Sequence, residues 1–313
     1  MSVLSAISLF SGCGGSDVGL SNAGIEVIWA NEISESACLF YEKVTGNSIV
    51  EHADILNIDV FPKSDLLVGC YPCQGYSQGG VRDPNRTINY LYREFDRALR
   101  QIRPKAFIVE NVDGMRFGKN SELLQNQLMR FRLAGYRVSW QVLNALDYGL
   151  AQSRKRIFIV GIRSKRRKLF EFPEPTHGPD RMAPHLTQKD VIWDLRKETK
   201  GTFNEEPFHW YYLSRNRRKK WKEAASTVVA NARHVGLHPD SPELVKIAED
   251  NWEFKGDSRK ARRLSFLECA ALQGFPNPKL FESQSLRLSY RAIGNAVPPP
   301  LFETVSRALV AQL

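Results

Sequence analysis

The chain has 313 residues, 42% hydrophobic and 25% charged, an ordinary globular composition that excludes a disulfide-stapled miniprotein, a fibre and a disordered tail. Its 44 Lys and Arg against 34 Asp and Glu leave +10, the balance of a protein that meets a polyanion. The excess is local: residues 151–263 carry 26 basic and 15 acidic side chains, a net +11, while the rest carries 18 and 19, a net −1. This reads as a near-neutral scaffold bearing one basic module, with a plain solvated face as the other reading.

The elements alternate from the start. Residues 6–10 form a short apolar run that ends in Ser11-Gly12-Cys13-Gly14-Gly15; Ser16-Asp17 then offers a helix N-cap and Gly24 a stop. A strand is predicted at 25–30, a helix at 34–44 and a strand at 65–68. Leu91, Phe95, Leu99 and Ile102 recur at helical spacing before Pro104, and 105–109 returns as a strand. A helix at 121–133 and strands at 136–143 and 157–162 continue the pattern, which predicts a doubly wound, mostly parallel α/β sheet. After Arg163 the pattern breaks at Ser164-Lys165-Arg166-Arg167-Lys168 and a proline-rich stretch. Periodicity returns at 264–272 and in a closing helix at 301–309. The domains expected are 1–165 plus 288–313, and a smaller basic one at 166–287.

No stretch approaches the roughly 20 apolar residues that span a bilayer, and the N-terminus carries no export signal; a cytoplasmic protein without a membrane partner is expected. Five cysteines, Cys13, Cys38, Cys70, Cys73 and Cys269, are an odd set without framework spacing, so reduced thiols are the default. Five of the six histidines lie in the basic half, and no metal-ligand spacing links them.

Glycines directly after a first strand let backbone approach a ligand, with the helix N-terminus behind them offering unpaired N–H groups. Glu32, 20 residues after Gly12, stands where an acid takes the two hydroxyls of a ribose. A dinucleotide and S-adenosylmethionine both carry one; Asp17 in place of a third glycine weakens the dinucleotide reading, and a ligand-free turn is the third.

The strand at 65–68 runs into Cys70-Tyr71-Pro72-Cys73-Gln74-Gly75, at the strand end where open α/β sheets bind ligands. Cys70-x-x-Cys73 reads as a redox pair, as half a zinc site, or as a lone nucleophile, Cys73, held by a proline and flanked by glycines. Glu110 falls at the end of the next strand, on the same rim, and desolvation there can keep a carboxyl protonated as an acid. Arg154 and Arg156, at i and i+2, share a face if extended.

Taken together, Phe10-Ser11-Gly12-Cys13-Gly14-Gly15, Pro72-Cys73-Gln74, Glu110-Asn111-Val112, Gln152-x-Arg154-x-Arg156, the run from Arg263 through Gln273-Gly274-Phe275-Pro276, and Gly294-Asn295-Ala296-Val297 resemble the C5-cytosine DNA methyltransferases, in the family's order and over nearly the whole chain. The resemblance implies a Rossmann-like methyltransferase domain and a target-recognition domain, acting on double-stranded DNA as a monomer beside a cognate restriction endonuclease in a nucleoid-associated setting. It implies Cys73 as the nucleophile at cytosine C6, Glu110 on N3 and the exocyclic amine, Arg156 on the base carbonyl and Arg154 steadying the site. S-adenosyl-L-methionine would be held by Phe10, Ser11, Gly12, Gly14, Gly15, Glu32, Ile33, Asp54, Ile55, Pro72, Asn295 and Val297. DNA contacts are expected from Gln74, Ser77 and Gly79 in a lid at 75–83 that closes on a flipped base, and from Arg217, Arg218, Lys220 and Arg233. An RNA cytosine methyltransferase on the same scaffold is the alternative; Gly75-Tyr76, where commoner members carry Pro-Phe or Ala-Phe, touches only loop detail.

Overall fold

The computed structural model describes residues 3–72, 90–118, 120–163, 169–197, 201–215 and 217–313. Two compact units emerge from its contacts: residues 1–144, 155–174 and 301–313 form one, and 145–154 with 175–300 the other. These units differ from the expected 1–165 plus 288–313 and 166–287 in that residues 145–154 and 288–300 group with the second unit and 166–174 with the first.

The first unit is built on β1 (Leu4–Leu9), β2 (Ile25–Glu32), β3 (Val50–His52), β4 (Leu66–Gly69), β5 (Ala106–Val112), β6 (Arg137–Asn144) and β7 (Lys155–Ile162). Their order is β3-β2-β1-β4-β5-β7-β6; the first five run parallel, and β7 is antiparallel to both neighbours. The mostly parallel α/β reading is correct. Strands buried on both faces need near-continuous apolar runs, and β4, Leu-Leu-Val-Gly, is buried throughout. Helices α1 (Gly15–Asn22), α2 (Glu35–Thr45), α3 (Tyr92–Ile102) and α4 (Asn120–Leu133) connect the strands. Phe95, Phe107, Phe131 and Tyr136 stack edge to face in the core at 5.0–5.7 Å between centroids.

Strand order reverses between β1 and β4, and in open α/β sheets a ligand crevice forms outside the carboxyl ends at such a switch point. Register aligns those ends: Leu9 pairs with Asn31 on one side and Gly69 on the other, and Gly69 with Val109.

The second unit has short regular elements: α5 (Gln188–Ile192), α6 (Trp210–Leu213), a β8 (Leu244–Ala248) and β9 (Asn251–Phe254) hairpin, α7 (Phe266–Leu272) and α8 (Leu286–Asn295); the chain closes with α9 (Pro299–Val310). Tyr212, Leu237 and Leu244 make a small core with Phe208, Trp252 and Phe254. No described helix is long and apolar enough to cross a membrane.

Candidate active site

Sequence reasoning gave Ser16-Asp17 the helix cap; the structure corrects this. The N-cap is Gly14, in left-handed backbone at φ 82°, and a Cβ there would lie 2.6 Å from Thr45 and 3.1 Å from the Tyr41 ring. Asp17 is buried, and its carboxylate accepts from Ser8 Oγ at 2.7 Å, Ser16 Oγ at 2.9 Å and the Tyr41 hydroxyl at 2.8 Å. Burial pushes its carboxyl up and the three hydroxyls pull it back. The acid ties β1, α1 and α2 together beneath the glycine loop.

Phe10 and Gly12 also take positive φ, 58° and 57°. That conformation strains a residue with a side chain, and such strain concentrates at functional sites. At Gly12 an added Cβ would meet nothing within 4 Å, so the loop backbone borders open space. Gly12 N–H donates to Glu32 Oε2 at 2.9 Å, and Ser34 N–H to Glu32 Oε1 at 2.8 Å; Ser11 is anchored on the Asn31 carbonyl at 3.0 Å. Ile33 is exposed and Asp54 caps a turn by accepting from Leu56 N–H at 3.0 Å, while the Ile55 side chain is buried in the core, so any ligand contact there is through main chain. Open space over a glycine turn, a helix N-terminus, and an acid one strand away suit a nucleoside cofactor with an amino-acid tail.

Beside this loop, β4 ends at Gly69, and Cys70 N–H donates to the Leu9 carbonyl at 3.2 Å. Pro72 follows; Cys73, Gln74, Ser77, Gly79 and the lid at 75–83 lie outside the described residues, as does the basic run 164–168. The four described thiols are all poor nucleophiles. Burial pushes Cys13 up to about 12, Cys38 up to about 11, and Cys70 and Cys269 well up, with the charge of Glu110 raising Cys70 further.

Glu110, near the end of β5, is 7% exposed. Its Oε1 meets Arg156 Nε at 3.1 Å, because the antiparallel register brings the start of β7 opposite the end of β5, with Val112 facing Arg156. Asn111 donates from Nδ2 to the Tyr71 carbonyl at 3.0 Å, holding the segment that leads to Cys73.

Arg154 lies in the second unit, 1% exposed, and its guanidinium donates to the carbonyls of Val228 at 2.9 Å, Gly294 at 3.0 Å and Ala296 at 2.9 Å. Gln152 joins Val228 N–H to Gln273 and the Leu272 carbonyl, and Gln273 donates to the Ile293 carbonyl at 2.7 Å. Gly294 is required because a Cβ would lie 2.2 Å from the Ala230 nitrogen. Three motifs therefore meet in one buried polar node. Asn295 is exposed beside it and Val297 buried.

Each of the predicted DNA-contacting arginines has a partner in the second unit. Arg217 donates to the His234 carbonyl at 2.9 Å and lies over the Tyr212 ring, Arg218 donates to the Ser241 carbonyl at 2.8 Å, and Arg233 pairs with Glu206. The Lys220 side chain is exposed. Arg263, which the sequence motif includes without a role, is buried and donates to the carbonyls of Arg233, Asn204 and Glu206. Glu268 of the same motif, likewise without a role from sequence, receives both terminal Arg262 nitrogens at 2.8 Å and meets His238 at 3.2 Å. Ser265 and Glu268, three apart ahead of an apolar run, were the available signal, and they form a capping box.

Residues 4–311 match the family model described as C-5 cytosine-specific DNA methylase. The chain is 38% identical to the Type II methyltransferase M.FnuDI of Fusobacterium nucleatum, over 97% of this chain and 93% of that one. It is 34% identical to M.BsuRI of Bacillus subtilis, over 97% and 78%. Among solved structures, the Entamoeba histolytica methyltransferase EhMeth superposes with a TM-score of 0.70 at 15% identity, covering 100% of this chain and 99% of that one.

Proposed function

The chain belongs to the C-5 cytosine-specific DNA methylase family and is a DNA cytosine-5-methyltransferase, and from that premise we propose that it methylates one cytosine within a fixed double-stranded sequence through a covalent cysteine adduct. Family and fold imply an S-adenosylmethionine-type cofactor. The observation that carries the reading is the row of strand ends: the Phe10 to Gly15 loop, Glu32, the Cys70 to Pro72 segment and Glu110 stand side by side, with Arg156 on Glu110.

In this reading the base leaves the stack, at a cost of a few kcal/mol. The Cys73 thiolate forms a bond to C6, and as the displaced electron pair reaches N3 a protonated Glu110 would donate its proton there while accepting from the exocyclic amine, with Arg156 on the base carbonyl. Phe10, Ser11, Gly12, Gly14, Gly15, Glu32, Ile33, Asp54, the Ile55 main chain and Pro72 would hold the cofactor. The bound cofactor supplies an electrophilic methyl group to C5. Loss of the C5 proton to a base then restores the double bond and expels Cys73 as thiolate. Arg154 would act by holding the 225–230 and 293–296 segments in place.

Residues 175–300 would read the target, with Lys and Arg on phosphates setting affinity. The Type II relatives support a place in a restriction-modification system, in which a monomeric, cytoplasmic, nucleoid-associated enzyme protects the site of a cognate endonuclease. Bisulfite sequencing of DNA from cells expressing the protein should return one recurrent sequence with one protected cytosine. Cys73→Ser should erase that pattern and fail to trap a 5-fluorocytosine duplex. Full methylation by Cys73→Ser would overturn the covalent step, and methylated transfer RNA beside unmodified DNA would favour the RNA alternative.

A further inference from the structure

Tyr71 stands two residues before Cys73 and is held from three sides. Its ring packs edge to face on Phe10, with centroids 6.1 Å apart, and tilts against Phe95 at 5.9 Å. Its carbonyl accepts from Asn111, and its hydroxyl donates to Gln127 Oε1 at 2.6 Å. Tyr71 is 2% exposed and Gln127 fully buried.

Gln127 is a costly choice for α4. Its Nε2 is buried without a hydrogen-bond partner among the described residues, and an unsatisfied buried amide destabilises. Leu124, Leu128 and Phe131 share its buried face, where a leucine at 127 would suit the apolar surroundings. What the amide does that leucine cannot is fix the Tyr71 hydroxyl, and buried polar pairs specify geometry where apolar contacts tolerate sliding. The ring so fixed touches Phe10, the strained residue of the glycine loop, while its own backbone leads into the nucleophile.

We infer that Tyr71 is a positioning residue that sets the cofactor loop and the cysteine segment relative to each other, anchored among the described residues by Gln127 and Asn111. The inference rests on Cys73 being the nucleophile, and it assigns Tyr71 no contact with the reacting atoms. Its hydroxyl governs the placement of the cysteine segment, and its ring supports Phe10.

The test uses the full chain with Tyr71→Phe, Gln127→Leu, the double variant and Tyr71→Leu, measuring S-adenosylhomocysteine affinity by calorimetry, single-turnover methyl transfer, and Tm. Tyr71→Phe keeps the ring, so affinity should stay within about twofold while the single-turnover rate falls about fivefold. Gln127→Leu should match it, and the double variant should be no slower than either, because the two partners act as one unit. Tyr71→Leu should weaken S-adenosylhomocysteine binding about tenfold, through loss of the aromatic wall behind Phe10. A wild-type rate in Tyr71→Phe, losses that multiply in the double variant, or a rate loss that merely follows a lowered Tm would each overturn the inference. Failure of the covalent reading shows separately, as methyl transfer by Cys73→Ser.

Discussion

The two units hold their side chains in place by different means. In the first, ladder hydrogen bonds satisfy the backbone and parallel register alone lines up Phe10, Glu32, Cys70 and Glu110 at one sheet rim. In the second, regular elements are short, and buried Arg154, Arg263 and Gln152 bond the carbonyls and amides that no sheet satisfies. Buried backbone groups need partners wherever they are. A basic residue is thus a different object in each unit: Arg156 faces a carboxylate at a strand end, and Arg154, two residues earlier, is part of the internal framework.

Substitutions on either side of that divide should separate activity from stability. The largest effect expected is Glu110→Gln, which should lower methyl transfer by about 10²–10⁴ with little change in thermal midpoint, followed by tritiated-methyl incorporation beside calorimetry. If Glu110→Gln unfolded the protein and left its specific activity intact, the division would fail. Arg154→Met should do the reverse. Three carbonyls lose their donor, and at about 1–3 kcal/mol for each buried group left unpaired stability should fall by at least about 3 kcal/mol, read as a shifted urea midpoint. Arg154→Lys should not rescue it, since an ammonium cannot span three acceptors in the guanidinium's plane.

The same contrast explains what was readable in the sequence. Apolar runs bounded by glycine and proline located β1, β2, β4, β5, β6 and β7, and motif residues at their ends needed only the parallel sheet to become neighbours. The three-residue edge strand β3 and the β8–β9 hairpin gave little pattern. Helix α8 was overlooked although Leu286, Tyr290 and Ile293 hold helical spacing. Arginine roles were the least readable: the acceptors of Arg154 are 74, 140 and 142 residues away, and no local spacing encodes them. The +11 of residues 151–263 consequently overstated the charge free for a polyanion, since Arg154 and Arg263 are buried and Arg233 and Arg262 are paired with acids. Tyr71 and Gln127 were invisible for the same reason.

Acid should reach the second unit through Glu268. Burial raises its carboxyl, but hydrogen bonds from Arg262, with the His238 ring 3.2 Å away, outweigh this and hold it at about 2 against an ordinary 4.5. A depressed folded-state value stabilises fully above the unfolded value and is lost as pH falls through the folded one. The contribution, up to about 3 kcal/mol, should therefore be complete above pH 4.5 and disappear toward pH 2. Urea midpoints between pH 3 and 6 should fall with acid, and Glu268→Gln should flatten that slope. An unchanged slope would mean that Glu268 is not the acid-sensitive element of this unit.

The smallest effects should come from the exposed charges, where pairing decides what remains for DNA. Arg233 is held by Glu206, and that pair must open before the guanidinium can meet a phosphate, whereas the Lys220 side chain is exposed. Lys220→Ala should reduce the salt dependence of duplex binding by about one phosphate contact, a change of about 0.9 in the slope of log affinity against log salt. Arg233→Ala should reduce it by less. Glu206→Gln supplies the discriminating test, because it releases Arg233 without adding a positive charge. If Arg233 reaches phosphate, Glu206→Gln should tighten binding at low salt and steepen the slope, and the gain should vanish when Arg233→Ala is added. Equal affinity for Glu206→Gln and wild type across salt would place Arg233 with Arg154, as a residue of the framework.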